Sequence, residues 1–214
     1  MVGLARMLAQ AGERVLLIDA DMRRPTLAQR LYLDPEPGLS QVLSGRGRFE
    51  DFVLQVDDSS LFVLPAGSIP PNPAELLASH SMENVLAGAE SMYDYVLIDS
   101  PPVLPVTDSV VIGERVSGVI LVVRAARTKF QEVREARRLL DTAGVAVSGV
   151  VINDVSRSRG AAGYGGYTSA YYSNSDSGQP PATQRGRSRS RRAPARPLLP
   201  SRSDADESSY AQLP

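Results

Sequence analysis

Three aspartates stand where carboxylates could do chemistry. The run Val15-Leu16-Leu17-Ile18-Asp19-Ala20-Asp21-Met22-Arg23-Arg24-Pro25 reads as an apolar strand delivering two carboxylates, one residue apart, and then two arginines at its C-terminal end. In open α/β sheets that end is where ligands bind. Side chains alternate along an extended strand, so Asp19 and Asp21 share a face if the extended geometry continues, as a metal–phosphate site requires. A second apolar run, Tyr95-Val96-Leu97-Ile98-Asp99-Ser100-Pro101-Pro102, ends in a carboxylate followed by a rigid turn. An aspartate so placed can hold Mg2+ beside a nucleoside triphosphate. The first run taken alone fits equally well a strand that ends in a polar turn, and the second run is the context that argues for a site.

Positioning such carboxylates takes a buried sheet, and the pattern from Met1 to about Asp154 supplies one. Apolar runs of strand length alternate with stretches of helical period, which predicts a doubly wound α/β fold with a mainly parallel sheet. The expected strands are Arg14–Ile18, Leu61–Leu64, Tyr95–Ile98, Gly118–Val123 and Val145–Ile152, rich in Val, Ile and Leu as buried parallel strands are. The clearest helix is Thr128–Ala143, where Phe130, Val133, Ala136, Leu139 and Leu140 recur at helical spacing before Gly144. Others are expected over Gly3–Gln10, near Pro25, and over Pro73–Leu77, Ser81–Ser91 and Thr107–Arg115.

Composition removes much other chemistry. The 214 residues contain no cysteine, so disulfides, thiolate metal sites and a cysteine nucleophile are excluded. The one histidine, His80, sits between two serines and is given no role. No apolar run reaches the roughly 20 residues of a membrane helix, and no secretory leader follows Met1, so a cytoplasmic location is expected. The formal net charge of −1 divides unevenly, −6 over residues 1–154 and +5 over 155–214. The expected organisation is one domain over 1–154 and a disordered tail over 155–214, where Ser, Gly, Arg, Pro and Tyr leave little apolar surface to bury. Tyr164, Tyr167, Tyr171 and Tyr172 cluster in that tail, Tyr210 follows near its end, and residues 185–192 hold five arginines. Solvation is the favoured role of the arginine run, contact with anionic lipid the second, and nucleic acid is not an expected partner.

Together the two aspartate strands resemble the deviant P-loop ATPases that include ParA and MinD, and within them the bacterial tyrosine kinases of the capsular exopolysaccharide (CpsD/CapB) family. The Asp-x-Asp-x-Arg after the first strand is similar to that family's Walker A′ motif, and the second strand has the form of a Walker B. Further matches are Leu64-Pro65-Ala66-Gly67, Pro71-Asn72-Pro73-Ala74-Glu75-Leu76-Leu77 and the ending Gly149-Val150-Val151-Ile152-Asn153. The Pro-Asn-Pro-x-Glu-Leu-Leu segment favours the kinase branch. The resemblance implies an ATP- and Mg2+-dependent, autophosphorylating protein-tyrosine kinase that regulates capsule or exopolysaccharide production. It implies Asp19 as the base for the tyrosine hydroxyl, Asp21 and Asp99 near Mg2+, partly through water, Arg23 near the phosphates and Asn153 at the adenine. It also implies phosphorylation of the five tail tyrosines by neighbouring copies in a homo-oligomer. The implied partner is a membrane polysaccharide co-polymerase (Wzz-like), which would hold the protein at the inner face of the plasma membrane. The alternatives are a non-catalytic ATPase-like interaction module and a ParA/MinD-type partitioning ATPase.

One part of the resemblance is absent. No Gly-x-x-x-x-Gly-Lys-Ser/Thr occurs, and the only lysine, Lys129, is followed by Phe130. Residues 3–14 resemble the second half of the helix that follows a P-loop, so a late start codon or a fragment is the expected explanation. Without the preceding strand, the edges of its neighbours should be open and the isolated chain marginally soluble and inactive.

Overall fold

The computed structural model describes residues 1–57 and 59–155. In chain order the elements are α1 (Val2–Gln10), β1 (Val15–Asp19), α2 (Leu27–Leu31), α3 (Leu39–Leu43), a 3-10 turn (Phe49–Asp51), β2 (Leu54–Gln55) and β3 (Leu61–Leu64). There follow α4 (Pro73–Ala78), α5 (His80–Met92), β4 (Tyr95–Asp99), α6 (Asp108–Gly113), β5 (Val119–Arg124), α7 (Phe130–Thr142) and β6 (Val147–Asn153). The tail tyrosines and the arginine run at 185–192 lie outside the described residues.

Strand β1 forms where four apolar residues ahead of Asp19 can be buried on both faces. It pairs in parallel with β3 on one side and β4 on the other, Val15 opposite Leu61 and Tyr95, and β2 adds an antiparallel edge to β3. The two-residue side-chain period then divides its neighbours into two layers. Leu16 and Ile18 face a core with Leu39, Leu77, Met82 and Leu86 from α3, α4 and α5. Val15 and Leu17 face the opposite core with Ala5 of α1 and Leu27 and Leu31 of α2. Apolar layers on both sides of a mainly parallel sheet are the doubly wound arrangement the sequence predicts.

The sheet is not continuous, however. Among the described residues, β4 is hydrogen-bonded to β1 alone, while β5 and β6 form a separate parallel pair. Each of β4 and β5 therefore keeps one edge without a strand partner among the described residues. Exposure follows: Ile120, Val122, Val150 and Ile152 stand largely in solvent although their sequence reads as central strand.

Helix boundaries lie within a few residues of expectation, with α7 the clearest case. Its N-terminus is closed by Glu132, whose side chain accepts the Lys129 N–H at 2.7 Å, and Gly144 ends it at φ +70°. Phe130 does not join its apolar stripe and is 75% exposed. At 100° per residue it lies about 80° around the helix from Leu140 and about 120° from Ala136, the two buried residues. No helix among the described residues is long and apolar enough to cross a membrane.

Candidate functional site

The parallel register sets Asp19 opposite Asp99 at the C-terminal ends of β1 and β4. Adjacent strands run about 4.8 Å apart, so two carboxylates leave the sheet side by side. The pairing continues one residue further, the Ala20 N–H donating to the Asp99 carbonyl at 2.8 Å. Beyond it the extended geometry stops, which departs from the condition under which Asp19 and Asp21 would share a strand face. The cause is Asp19 itself, 1% exposed, which gathers the following loop around its carboxylate. Its Oδ1 accepts the Asp21 N–H at 3.2 Å, and its Oδ2 accepts the N–H groups of Thr26 at 3.2 Å and Leu27 at 3.0 Å. Those last two amides open α2, so Asp19 also caps that helix. Asp21 makes the next turn, its Oδ1 accepting the N–H groups of Arg23 and Arg24 at 3.2 and 3.0 Å.

Negative charge is concentrated here, and at Asp99 the amino terminus and Arg30 offset it only in part. Burial pushes the Asp19 carboxyl up to about 6, opposed by its amide donors and aided by the nearby Asp99. Burial also raises Asp99, and Asp21 adds to the effect. Among the described residues the Asp99 carboxylate accepts no hydrogen bond. An open cleft of about 520 Å3 lies beside it, lined by Met1, Val2 and Gly3, by Thr26, Leu27 and Arg30, and by Asp99. Crowded carboxylates with raised pKa values, one of them free to accept, form a donor set suited to a divalent cation. No group of three or more His, Cys, Asp or Glu among the described residues could hold a metal by itself. Mg2+ takes one or two carboxylates and completes its shell with water and phosphate.

Arg23 is paired with a buried carboxylate. Its Nε and Nη2 donate to Oδ2 and Oδ1 of Asp108 at 2.8 and 3.0 Å, and the Asp108 side chain is wholly buried. Asp108 has no part in the sequence reading. The signal was present in Thr107-Asp108 ahead of Val110-Val111-Ile112, but an acid there reads as an ordinary first-turn residue. Asn153 ends β6, opposite Arg124 of β5, and its Oδ1 accepts the Asp154 N–H at 2.8 Å. It thus belongs to the strand pair that is separate from the carboxylate-bearing sheet. The Leu64-Pro65-Ala66-Gly67 segment is held by α3, where Gln41 accepts the Gly38 N–H at 2.9 Å and donates to Ser68 at 2.6 Å. Gly67 has φ +76°, and a Cβ there would stand 2.0 Å from Gln41 Oε1, so both backbone and packing demand glycine.

Known proteins share this fold. Residues 1–128 match the family model described as an AAA domain. The tyrosine-protein kinase ptk of Acinetobacter johnsonii is 39% identical over 161 residues, 75% of this chain and 22% of the relative. Among solved structures, the VpsO kinase domain superposes with a TM-score of 0.69 at 38% identity, over 72% of this chain and 76% of that one. The chain belongs to the bacterial tyrosine-kinase family. Another member, the kinase domain of the Escherichia coli tyrosine kinase ETK, matches with a TM-score of 0.70 at 36% identity, covering 76% of this chain and 64% of that chain. The cell-division ATPase MinD of Pyrococcus furiosus is more distant, at 26% identity and a TM-score of 0.61. The kinase branch is therefore favoured over the partitioning ATPases. The chain spans about a quarter of the length of several kinases it matches, 22% of ptk and 24% of the Salmonella typhi wzc.

Proposed function

We propose that this domain transfers the γ-phosphoryl group of ATP to tyrosine hydroxyls, its own tail tyrosines among them. The observation that carries this reading is the pairing of Asp19 and Asp99 at the ends of two parallel strands, with Asp21 close enough to raise the Asp99 pKa. Mg2+ and ATP, when bound, would supply the electrophilic phosphoryl group. Asp21 and Asp99 would hold the cation, partly through water. Asp19 would accept the tyrosine proton, and a carboxylate titrating near 6 is tuned for that work at neutral pH. Asn153 would meet the adenine once β5 and β6 join the sheet. The free edges of β4 and β5 support a phosphate-binding Gly-x-x-x-x-Gly-Lys-Ser/Thr loop carried on a strand that pairs between them.

On this reading the kinase regulates capsule or exopolysaccharide polymerisation, phosphorylating Tyr164, Tyr167, Tyr171, Tyr172 and Tyr210 between copies of a homo-oligomer. Its partner is a Wzz-like co-polymerase, which keeps it at the inner face of the membrane. Each phosphate adds about −1.5 to −2 charges, enough for clustered sites to repel neighbouring copies and disperse the assembly.

The test is phosphotyrosine formation by the full-length protein with Mg2+ and ATP. Asp21→Asn and Asp99→Asn should each lower the rate about 100-fold or more. The wild-type rate should rise with pH through about 6 as Asp19 loses its proton. An absence of ATP-dependent phosphotyrosine would leave a non-catalytic docking module as the better account.

A further inference from the structure

The loop after β1 and the loop after β4 are joined into a ring. Ala20 N–H binds the Asp99 carbonyl, Ser109 Oγ binds the Pro101 carbonyl, and Asp21 holds the Arg23 and Arg24 amides. The Arg23–Asp108 pair closes this circuit, joining residues 85 apart in sequence through two parallel N–H···O bonds. Asp108 is the first residue of α6, so the pair ties the Asp21 turn to the helix that ends the Asp99 loop. The Arg23 side chain remains 41% exposed, whereas the Asp108 side chain it holds has no contact with solvent. An arginine whose Nε and Nη2 are both committed to a buried carboxylate is fixed in position and has one terminal nitrogen left for other partners.

We propose that Arg23 is a positioning residue, acting through Asp108 to hold Asp21 and Asp99 at a fixed separation and to pass movement of the α6 loop to the Asp21 turn. The inference rests on the kinase reading for its catalytic consequence, but the mechanical link stands on the geometry alone. A direct phosphate ligand and a positioning residue make opposite demands on Asp108. If Arg23 contacts phosphate, Asp108 is dispensable for ATP affinity. If Arg23 acts by position, removing either partner has the same effect, and removing both adds nothing.

The experiment uses the full-length protein as wild type, Arg23→Lys, Arg23→Gln, Asp108→Asn and the Gln/Asn double variant. Hydrogen exchange is followed at the Asp21–Arg24 amides, with the β1 amides as the control for global folding. Arg23→Gln and Asp108→Asn should each speed loop exchange about tenfold or more while β1 stays protected, and the double variant should match the singles. In phosphotyrosine assays both should lower kcat about tenfold or more with ATP KM within about threefold, and Arg23→Lys, which loses the fork but keeps the charge, should restore only part of it. The proposal is overturned if Arg23→Gln raises ATP KM about tenfold while Asp108→Asn leaves it unchanged, or if Asp108→Asn leaves loop exchange at the wild-type rate. Should the wild type transfer no phosphate, the kinase reading fails and the exchange data alone decide the link.

Discussion

Strand β1 and the β5–β6 pair are built from the same residues and end in opposite states. Val-Leu-Leu-Ile in β1 is wholly buried, whereas in β5 Ile120 and Val122 are 51% and 58% exposed and in β6 Ile152 is 63% exposed. The difference lies in their neighbours. β1 has a strand along each edge and helices on each face; β5 has one strand partner, and a two-stranded sheet with an uncovered face is marginal in water. Burial is therefore a property of the completed sheet. The same contrast divides the site, because the carboxylates stand on the finished half while Asn153 stands on the other.

The largest expected effect tests this contrast directly. Leu17→Ala in β1 should lower the unfolding free energy by about 2–5 kcal/mol through lost contacts and an unfilled cavity. Val122→Ala in β5 should cost less than about 0.5 kcal/mol in the isolated chain, since more than half of the residue is already exposed. Urea titration of both variants would measure this, and similar losses would mean that β5 is covered. In a full-length protein whose sheet is completed between β4 and β5, Val122→Ala should instead approach the cost of a core substitution.

A smaller effect belongs to β1 and β4 alone. The folded Asp19 pKa of about 6 lies above its ordinary 3.8, so the folded state holds a proton that the unfolded state has released between those values. Stability from this group is fully present below about pH 4 and is lost as pH rises through about 6. The loss is at most about 3 kcal/mol and is reduced by solvent screening around the loop. Asp99, also raised, acts in the same direction. Thermal melts from pH 4 to 7 should therefore fall for the wild type and fall less for Asp19→Asn. The Asn variant will be weaker overall, because its amide nitrogen cannot accept from the Thr26 and Leu27 N–H groups, but its shallower slope is the readout. An equal slope in both would place the titrating group elsewhere.

What the sequence made legible follows from the same physics. Apolar runs located β1 and β3–β6 to within a residue or two, because strands of Val, Leu and Ile bounded by polar turns have few alternatives. The short elements α3 and β2 and the 3-10 turn at Phe49 went unread: they fall between Pro35 and Gly67, where glycine and proline signal loop, and tertiary contacts to Pro65 and Ala66 stabilise α3. The three motif aspartates were legible from their positions at strand ends. Their division of labour was not, since only the fold reveals that Asp19 spends both oxygens on backbone amides while the Asp99 carboxylate is left open. Arg23 illustrates the limit most clearly, because its partner is 85 residues away and no local pattern announces it.

The smallest effect lies at Tyr32, inside the well-packed half but outside its packing. Tyr32 follows α2 at φ 56° and ψ 37°, and the Leu33 N–H returns to the Ala28 carbonyl at 2.9 Å, a helix ending that normally uses glycine or asparagine. The residue is 97% exposed, so it gains almost nothing from burial to offset the left-handed backbone. A side chain bulkier than Asn loses about 1 kcal/mol in this conformation. Tyr32→Asn should therefore raise stability by about 0.5–1 kcal/mol, while Tyr32→Gly should gain less, because glycine also widens the unfolded ensemble by about 0.4–1 kcal/mol. Both would appear as melting-temperature increases of a few degrees. A loss of stability in both would show that the exposed tyrosine has a partner outside the described residues. The comparison would then change, since part of the β1 half would be as dependent on an unseen neighbour as β5 and β6 are.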